Sequence, residues 1–168
     1  MKKQFIMTLM GPETPGLMRI LAEKTHARQG IWLKSKISHL EGQCAGIIKI
    51  ETDEQQVEAL QQELKAVAGL QVVYPVAEDS APSQSKELQL TIESRDRPGL
   101  IKDISNIFDG YDVSVTNLEC HRFAVAEIGQ SVFKGDFDLM TPADIDLDSL
   151  VAELEELDLR VIKNTVDG

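Results

Sequence analysis

Apolar residues recur at a period of two at Phe5, Met7 and Leu9, the mark of a strand with one buried face, and do so again at Leu88, Leu90 and Ile92, 83 residues later. Each run leads into a Pro-Gly-Leu turn, Pro15-Gly16-Leu17 and Pro98-Gly99-Leu100, with Glu13 aligned on Asp96. The period then changes to that of a helix: Leu17, Met18, Leu21 and Ala22 in the first copy, Leu100, Ile101, Ile104, Ile107 and Phe108 in the second. Strands are predicted over 31–40 and 44–51, joined at Glu41-Gly42-Gln43 by a hairpin turn in which glycine supplies positive φ. Asp53 opens a second helix whose apolar face is Val57, Leu60, Leu64 and Val67, Gly69 is its expected stop, and 70–74 is a last strand. The second copy repeats this order with strands near 113–121 and 131–140, a helix carrying Leu147, Leu150, Val151, Leu154 and Leu157, and a strand over 159–163.

The chain therefore reads as α+β, two tandem βαββαβ domains with antiparallel sheets and helices on one face. The first covers 1–76 and the second 87–168, separated by a linker at 77–86 whose Ser, Pro and acidic residues lack apolar periodicity. Domains of this size leave a sheet face or edge in want of a partner, so pairing of the copies or a homo-oligomer is expected. No apolar run reaches the ~18 residues of a membrane span, and the first residues are too short for a signal-peptide core. A cytoplasmic location follows as an expectation. Cys44 and Cys120 form no CxxC pair and read as buried free thiols.

Charge divides the halves. Residues 1–75 hold 9 Lys and Arg against 8 Asp and Glu, a net of +1, whereas 76–168 hold 8 against 20, a net of −12. Such an acidic block repels phosphate, and no basic patch relieves it, which argues against direct nucleic-acid binding.

Chemistry concentrates in the second turn, 94–100. Asp96 is placed to cap the following helix, whose N-terminus offers N–H donors to a carboxylate, while Gly99 admits a ligand close to the backbone. Asp96 would also receive the ammonium of an amino acid, with Ser114 and Asn117 on the next strand supplying polar groups. Asp96-Arg97-Pro98-Gly99-Leu100 resembles the first loop of the ACT-domain family, and Glu13-Thr14-Pro15-Gly16-Leu17 resembles it more loosely. The resemblance spans nearly the whole chain. It implies a ferredoxin-like fold, an amino-acid site at the interface of paired domains, and ligand contacts from Asp96, Arg97, Pro98, Gly99, Leu100, Ser114 and Asn117. A weaker first-copy site would comprise Glu13, Thr14, Gly16, Leu17 and Trp32, the last near the place where a polar residue opens the second strand in binding members. Two such domains without a catalytic domain, with the stretch 141–150 before the last helix, are similar to the glycine cleavage system transcriptional repressor group. That similarity implies a non-enzymatic protein that responds to glycine and contacts a transcriptional regulator, with no cofactor.

Three other patterns in the chain point elsewhere. Phe133-Lys134-Gly135-Asp136-Phe137 echoes the stacking strand of RNA-recognition domains, although an aspartate follows its glycine. His26, His39 and His121 are scattered, and only Arg97 echoes the phosphate-cradling loop of small βαββαβ acyl-phosphate hydrolases. Asp144, Asp146, Asp148 and Glu155 have part of a calcium-loop spacing, but the helical period runs through them, so helix capping is expected. A ligand-free structural adaptor is the remaining alternative.

Overall fold

The computed structural model describes residues 1–76, 85–127 and 129–164. The chain divides into two compact units, 1–80 and 81–168. The first contains β1 (Lys2–Pro12), α1 (Leu17–Ala27), β2 (Ile31–Leu40), β3 (Gln43–Asp53), α2 (Glu54–Lys65) and β4 (Gln71–Val73). The second contains β5 (Ser85–Arg95), α3 (Leu100–Gly110), β6 (Ser114–Val125), β7 (Gln130–Pro142), α4 (Leu147–Glu156) and β8 (Arg160–Asn164). Both are βαββαβ, and their four-stranded sheets have the equivalent orders β2-β3-β1-β4 and β6-β7-β5-β8, with every pair antiparallel.

Alternation decides which face is buried. In β3 the residues Cys44, Gly46, Ile48, Ile50 and Thr52 are buried while Ala45 and Ile47 between them are exposed. Phe5, Met7 and Leu9 of β1 join Leu17 and Leu21 of α1 and Leu60 and Leu64 of α2 in one core. The second unit builds a separate core from Leu90, Ile92, Phe133, Phe137 and Leu139 of its sheet with Leu100, Ile104, Phe108, Leu150 and Leu154 of its helices. Among the described residues of each unit, both helices pack on this one face of the sheet.

The repeat extends into irregularities invisible in the composition. The β2–β3 register shifts between Trp32 and Lys34, and the β6–β7 register shifts between Val115 and Asn117, at positions 83 residues apart. The residues Gln29 and Asp112 that precede these strands share a positive φ of 55°. The hairpins differ: β2 and β3 are joined through Glu41 and Gly42, both at positive φ, whereas the second hairpin spans 126–129.

Several boundaries depart from expectation. The expected linker lies mostly outside the described residues, but Ser85 and Lys86 belong to β5, where Thr141 Oγ1 donates to the Lys86 carbonyl. The second helix ends at Lys65, short of Gly69, because its apolar face is complete at Leu64 and Val67 packs from the following turn. The strand predicted over 113–121 runs on to Val125, paired with β7 throughout. Phe133 and Phe137 point into the core, so the RNA-like motif presents no stacking aromatic. Asp146 caps α4, accepting from Ser149 N at 3.1 Å and Ser149 Oγ at 2.6 Å, which holds its carboxyl below the usual range. Cys44 is buried and Cys120 half-buried, both as free thiols. Among the described residues no helix is long and apolar enough to cross a membrane.

Candidate functional site at the β5–α3 turn

The two Pro-Gly-Leu turns have one backbone geometry. Gly16 (φ 80°, ψ 6°) and Gly99 (φ 80°, ψ 4°) occupy the left-handed region immediately before their helices, a conformation costly to any residue with a Cβ. The helices start from them: Ile20 N donates to the Gly16 carbonyl at 3.0 Å and Asp103 N to the Gly99 carbonyl at 2.9 Å. Each turn is tied to the adjoining hairpin by its acidic residue, Glu13 N donating to the Gly42 carbonyl and Asp96 N to the Ser131 carbonyl, both at 2.8 Å.

Neither acidic side chain caps its helix, a correction to the expectation for Asp96. With Gly99 as the N-cap residue, Asp96 sits four positions before the first helical residue, Leu100. Its carboxylate instead receives Arg122 Nε at 3.0 Å, and the Arg122 guanidinium lies over the Phe133 ring, 5.4 Å from its centroid. Arg97 reaches forward to Asp103 at 2.7 Å. Arg95, at the end of β5, makes no ion pair among the described residues. These groups border a pocket of about 590 Å³ whose lining includes Arg95, Asp96, Arg97, Gly99, Arg122 and Ser131. Above Gly99 the space is open: a Cβ there would meet nothing within 4 Å. Among the described residues the Leu100 N–H makes no backbone hydrogen bond outside its helix, whereas its equivalent Leu17 N donates to the Thr14 carbonyl at 3.1 Å.

The arrangement provides opposite charges side by side. Arg122 engages Asp96 through Nε, which leaves its terminal nitrogens and the second Asp96 oxygen available, and Arg95 contributes a further guanidinium. A zwitterion matches such a set, its carboxylate toward the guanidinium and helix N–H groups and its ammonium toward Asp96.

Ser114 and Asn117 are not brought to this turn within the unit. Ser114 pairs with Met140 and Asn117 with Asp138, whereas the turn adjoins Ser131 and Arg122 at the other end of the sheet. Eight residues of strand separate Ser114 from Arg122, about 26 Å at ~3.3 Å per residue. Trp32 is likewise remote from the Glu13 turn: it pairs with Ile50, packs on the first core and donates Nε1–H to Thr25 Oγ1 at 3.1 Å. Its equivalent in the second unit is Val115, and that of Ser114 is Ile31. At the first turn Glu13 lies 3.5 Å from His39 Nδ1, Thr14 Oγ1 donates to the Pro12 carbonyl, and Leu17 enters the core. The neighbouring pocket, about 480 Å³, is lined by Met10, Pro12, Leu40, Cys44 and Ala45 among others and contains no arginine.

Sequence reasoning missed Arg95, Arg122 and Ser131. Arg122 is 26 residues from Asp96 and reaches it only through strand pairing, so no local spacing announces it. Arg95 was within reach of inspection, since it and Arg97 flank Asp96 in a half of the chain that is otherwise acidic.

No family model and no curated protein matches the chain by sequence. Solved structures do match its fold. A protein of unknown function from Galdieria sulphuraria is 17% identical, with a TM-score of 0.86 over 99% of each chain. A proposed glycine cleavage system transcriptional repressor is 13% identical, with a TM-score of 0.71 over 100% of this chain and 99% of its own. The architecture is the tandem ACT-domain fold.

Proposed function

We propose that this tandem ACT protein is a non-enzymatic regulator that binds a free amino acid, glycine foremost, beside Asp96–Leu100 and transmits occupancy to a transcriptional regulator through protein contact. The observation that carries the reading is the Asp96 carboxylate set among Arg95, Arg97 and Arg122 over the open Gly99 backbone. A zwitterion needs both signs of charge within one small pocket, and this pocket has them. Fold likeness to the proposed repressor favours glycine and a transcriptional target. The first turn has Arg19 beside Gly16, already held by Glu23, but Pro12 and His39 stand in the places of Arg95 and Arg122, so it lacks the paired charges of the second turn and serves the fold.

Transmission follows from linkage: a ligand that prefers one arrangement of a domain interface shifts the population toward it, and a partner that reads the arrangement senses the ligand. The surplus acidic charge of 76–168 suits contact with a basic protein surface rather than with DNA.

Isothermal titration of the full chain with glycine and then with the other common amino acids tests the reading. Saturable 1:1 binding is expected, weakened at least tenfold by Arg95→Ala and by Asp96→Asn and unchanged by Glu13→Gln. Heat from none of the amino acids, or binding indifferent to Arg95 and Asp96, would overturn it.

A further inference from the structure

The uncovered faces of the two sheets are built on equivalent strands but carry opposite charge. On β2 and β3 the uncovered face has Lys34 directly opposite Lys49 and Lys36 opposite Ile47. On β6 and β7 the equivalent positions hold Asn117 opposite Asp138 and Glu119 opposite Asp136. Three lysines in one unit thus stand where the other has Asn117, Glu119 and Asp138, and Asp136 takes the place of Ile47. Like charges placed opposite one another across a strand pair work against the sheet, so each face carries a strain that an oppositely charged surface would relieve. Neither Lys34 nor Lys49 ion-pairs among the described residues, and neither does Glu119 nor Asp138.

The lysine face is also the apolar one. Met10, Ile31, Ile47 and Val73 all lie on it and are 55%, 56%, 53% and 61% exposed. The acidic face answers with Phe123, 51% exposed at one end of β6, and with the half-buried Met140 and Ile162 elsewhere on the sheet. Apolar surface of this extent, rimmed by charge, marks an interaction surface.

We infer that the lysine face of one chain docks on the acidic face of a second copy, and the reciprocal contact closes a twofold dimer. Area favours this closed form. The three long strands of each sheet make a face about 14 Å wide and about 33 Å long over ten residues, or about 460 Å². One contact between two such faces covers about 900 Å², below the range of stable interfaces, while the two contacts of a closed dimer cover about 1,800 Å², within it. The charged residues that carry the inference, Lys34, Lys49, Glu119 and Asp138, are not among those lining the pocket at the β5–α3 turn, and the test reads association rather than amino-acid binding.

Sedimentation of the full chain at 50 mM and 500 mM NaCl tests it, with charge-reversed variants. Wild type is expected to dimerise at low salt with a dissociation constant that rises at least tenfold at high salt. Lys34→Glu/Lys49→Glu and Glu119→Lys/Asp138→Lys are each expected to be monomeric, yet to form a 1:1 heterodimer when mixed, because each then meets two complementary faces. These side chains lie on the sheet surface, and far-UV circular dichroism verifies that the variants are folded. A monomeric wild type at both salts, as pairing within one chain would give, overturns the inference. So do reversed variants that still self-associate, or that do not associate when mixed.

Discussion

Gly135 lies at the centre of β7 on its helix-facing side, opposite Ile92 and Cys120. A methyl group there would stand 2.8 Å from Phe137 Cε2 and 2.9 and 3.0 Å from Phe133 Cζ and Cε1. Both rings are sealed in the core, Phe133 fully and Phe137 all but 2%, and Phe137 meets Phe108 edge-on at 5.6 Å between centroids. Neither ring can yield without leaving its rotamer, at about 1 kcal/mol each, and the loss of glycine's unfolded-state freedom offsets less than about 1 kcal/mol. Gly135→Ala should therefore destabilise the second unit by about 1–2 kcal/mol, within the span of overpacked cores. For a unit of this size that corresponds to about 4–16 °C in Tm. The two cores share no residue, so the effect should stay in the second unit. Trp32, the only tryptophan, belongs to the first and reports on it alone. In urea titrations the far-UV circular dichroism transition should acquire an earlier component while the Trp32 fluorescence midpoint stays put. A change below about 0.5 kcal/mol, the ordinary scatter of innocuous substitutions, would refute the packing argument, and an equal shift of the Trp32 transition would refute the independence of the cores.

Tyr74 donates its hydroxyl to the Gln61 carbonyl at 2.9 Å and packs edge-on against Phe5, and burial pushes its pKa up to about 12. A folded pKa raised above the unfolded ~10 means stability that is complete below pH ~10 and lost as pH climbs toward 12. After discounting for the exposed half of the ring, the loss should be about 1 kcal/mol, read from Trp32 urea midpoints across that window and absent in Tyr74→Phe. Asp146→Ala removes the α4 cap, so exchange of the Ser149 amide should accelerate; because the folded Asp146 pKa is lowered, its contribution in wild type should be present above pH ~4 and lost as pH falls through the folded value. Thr25→Val takes the acceptor from Trp32 Nε1–H and the Thr25 bond to the Leu21 carbonyl, which should cost the first unit about 1 kcal/mol by urea unfolding and alter the Trp32 emission.

Most of the fold was legible because both periodicities are strong and repeated. Phe5, Met7 and Leu9 face the core as their period of two required, and Leu100, Ile104, Ile107 and Phe108 do so at helical spacing. The matched register shifts at Leu33 and Thr116 were not legible, since a bulge is a property of a strand pair and neither residue marks one. The same reason hid half of the site. Asp96 and Gly99 are adjacent in sequence and declared themselves through the turn, whereas Arg122 arrives by way of two strand pairings. Ser114 and Asn117 look close to the turn when only chain order is considered. The helix between them returns the chain to the far end of the sheet before β6 begins, which separates them from it. The charge contrast between halves was visible in the composition, but its concentration on equivalent sheet faces required the registers of both sheets.

The central claim, an amino-acid site at the second turn, is tested most directly by titrating glycine into the ¹⁵N-labelled full chain and following amide shifts. The account predicts saturable changes at Asp96, Arg97, Gly99, Leu100 and Ser131 with little movement at Thr14, Gly16 and Leu17. Unmoved amides at Asp96–Leu100 under glycine and every other amino acid, or changes confined to Glu13–Leu17, would contradict it.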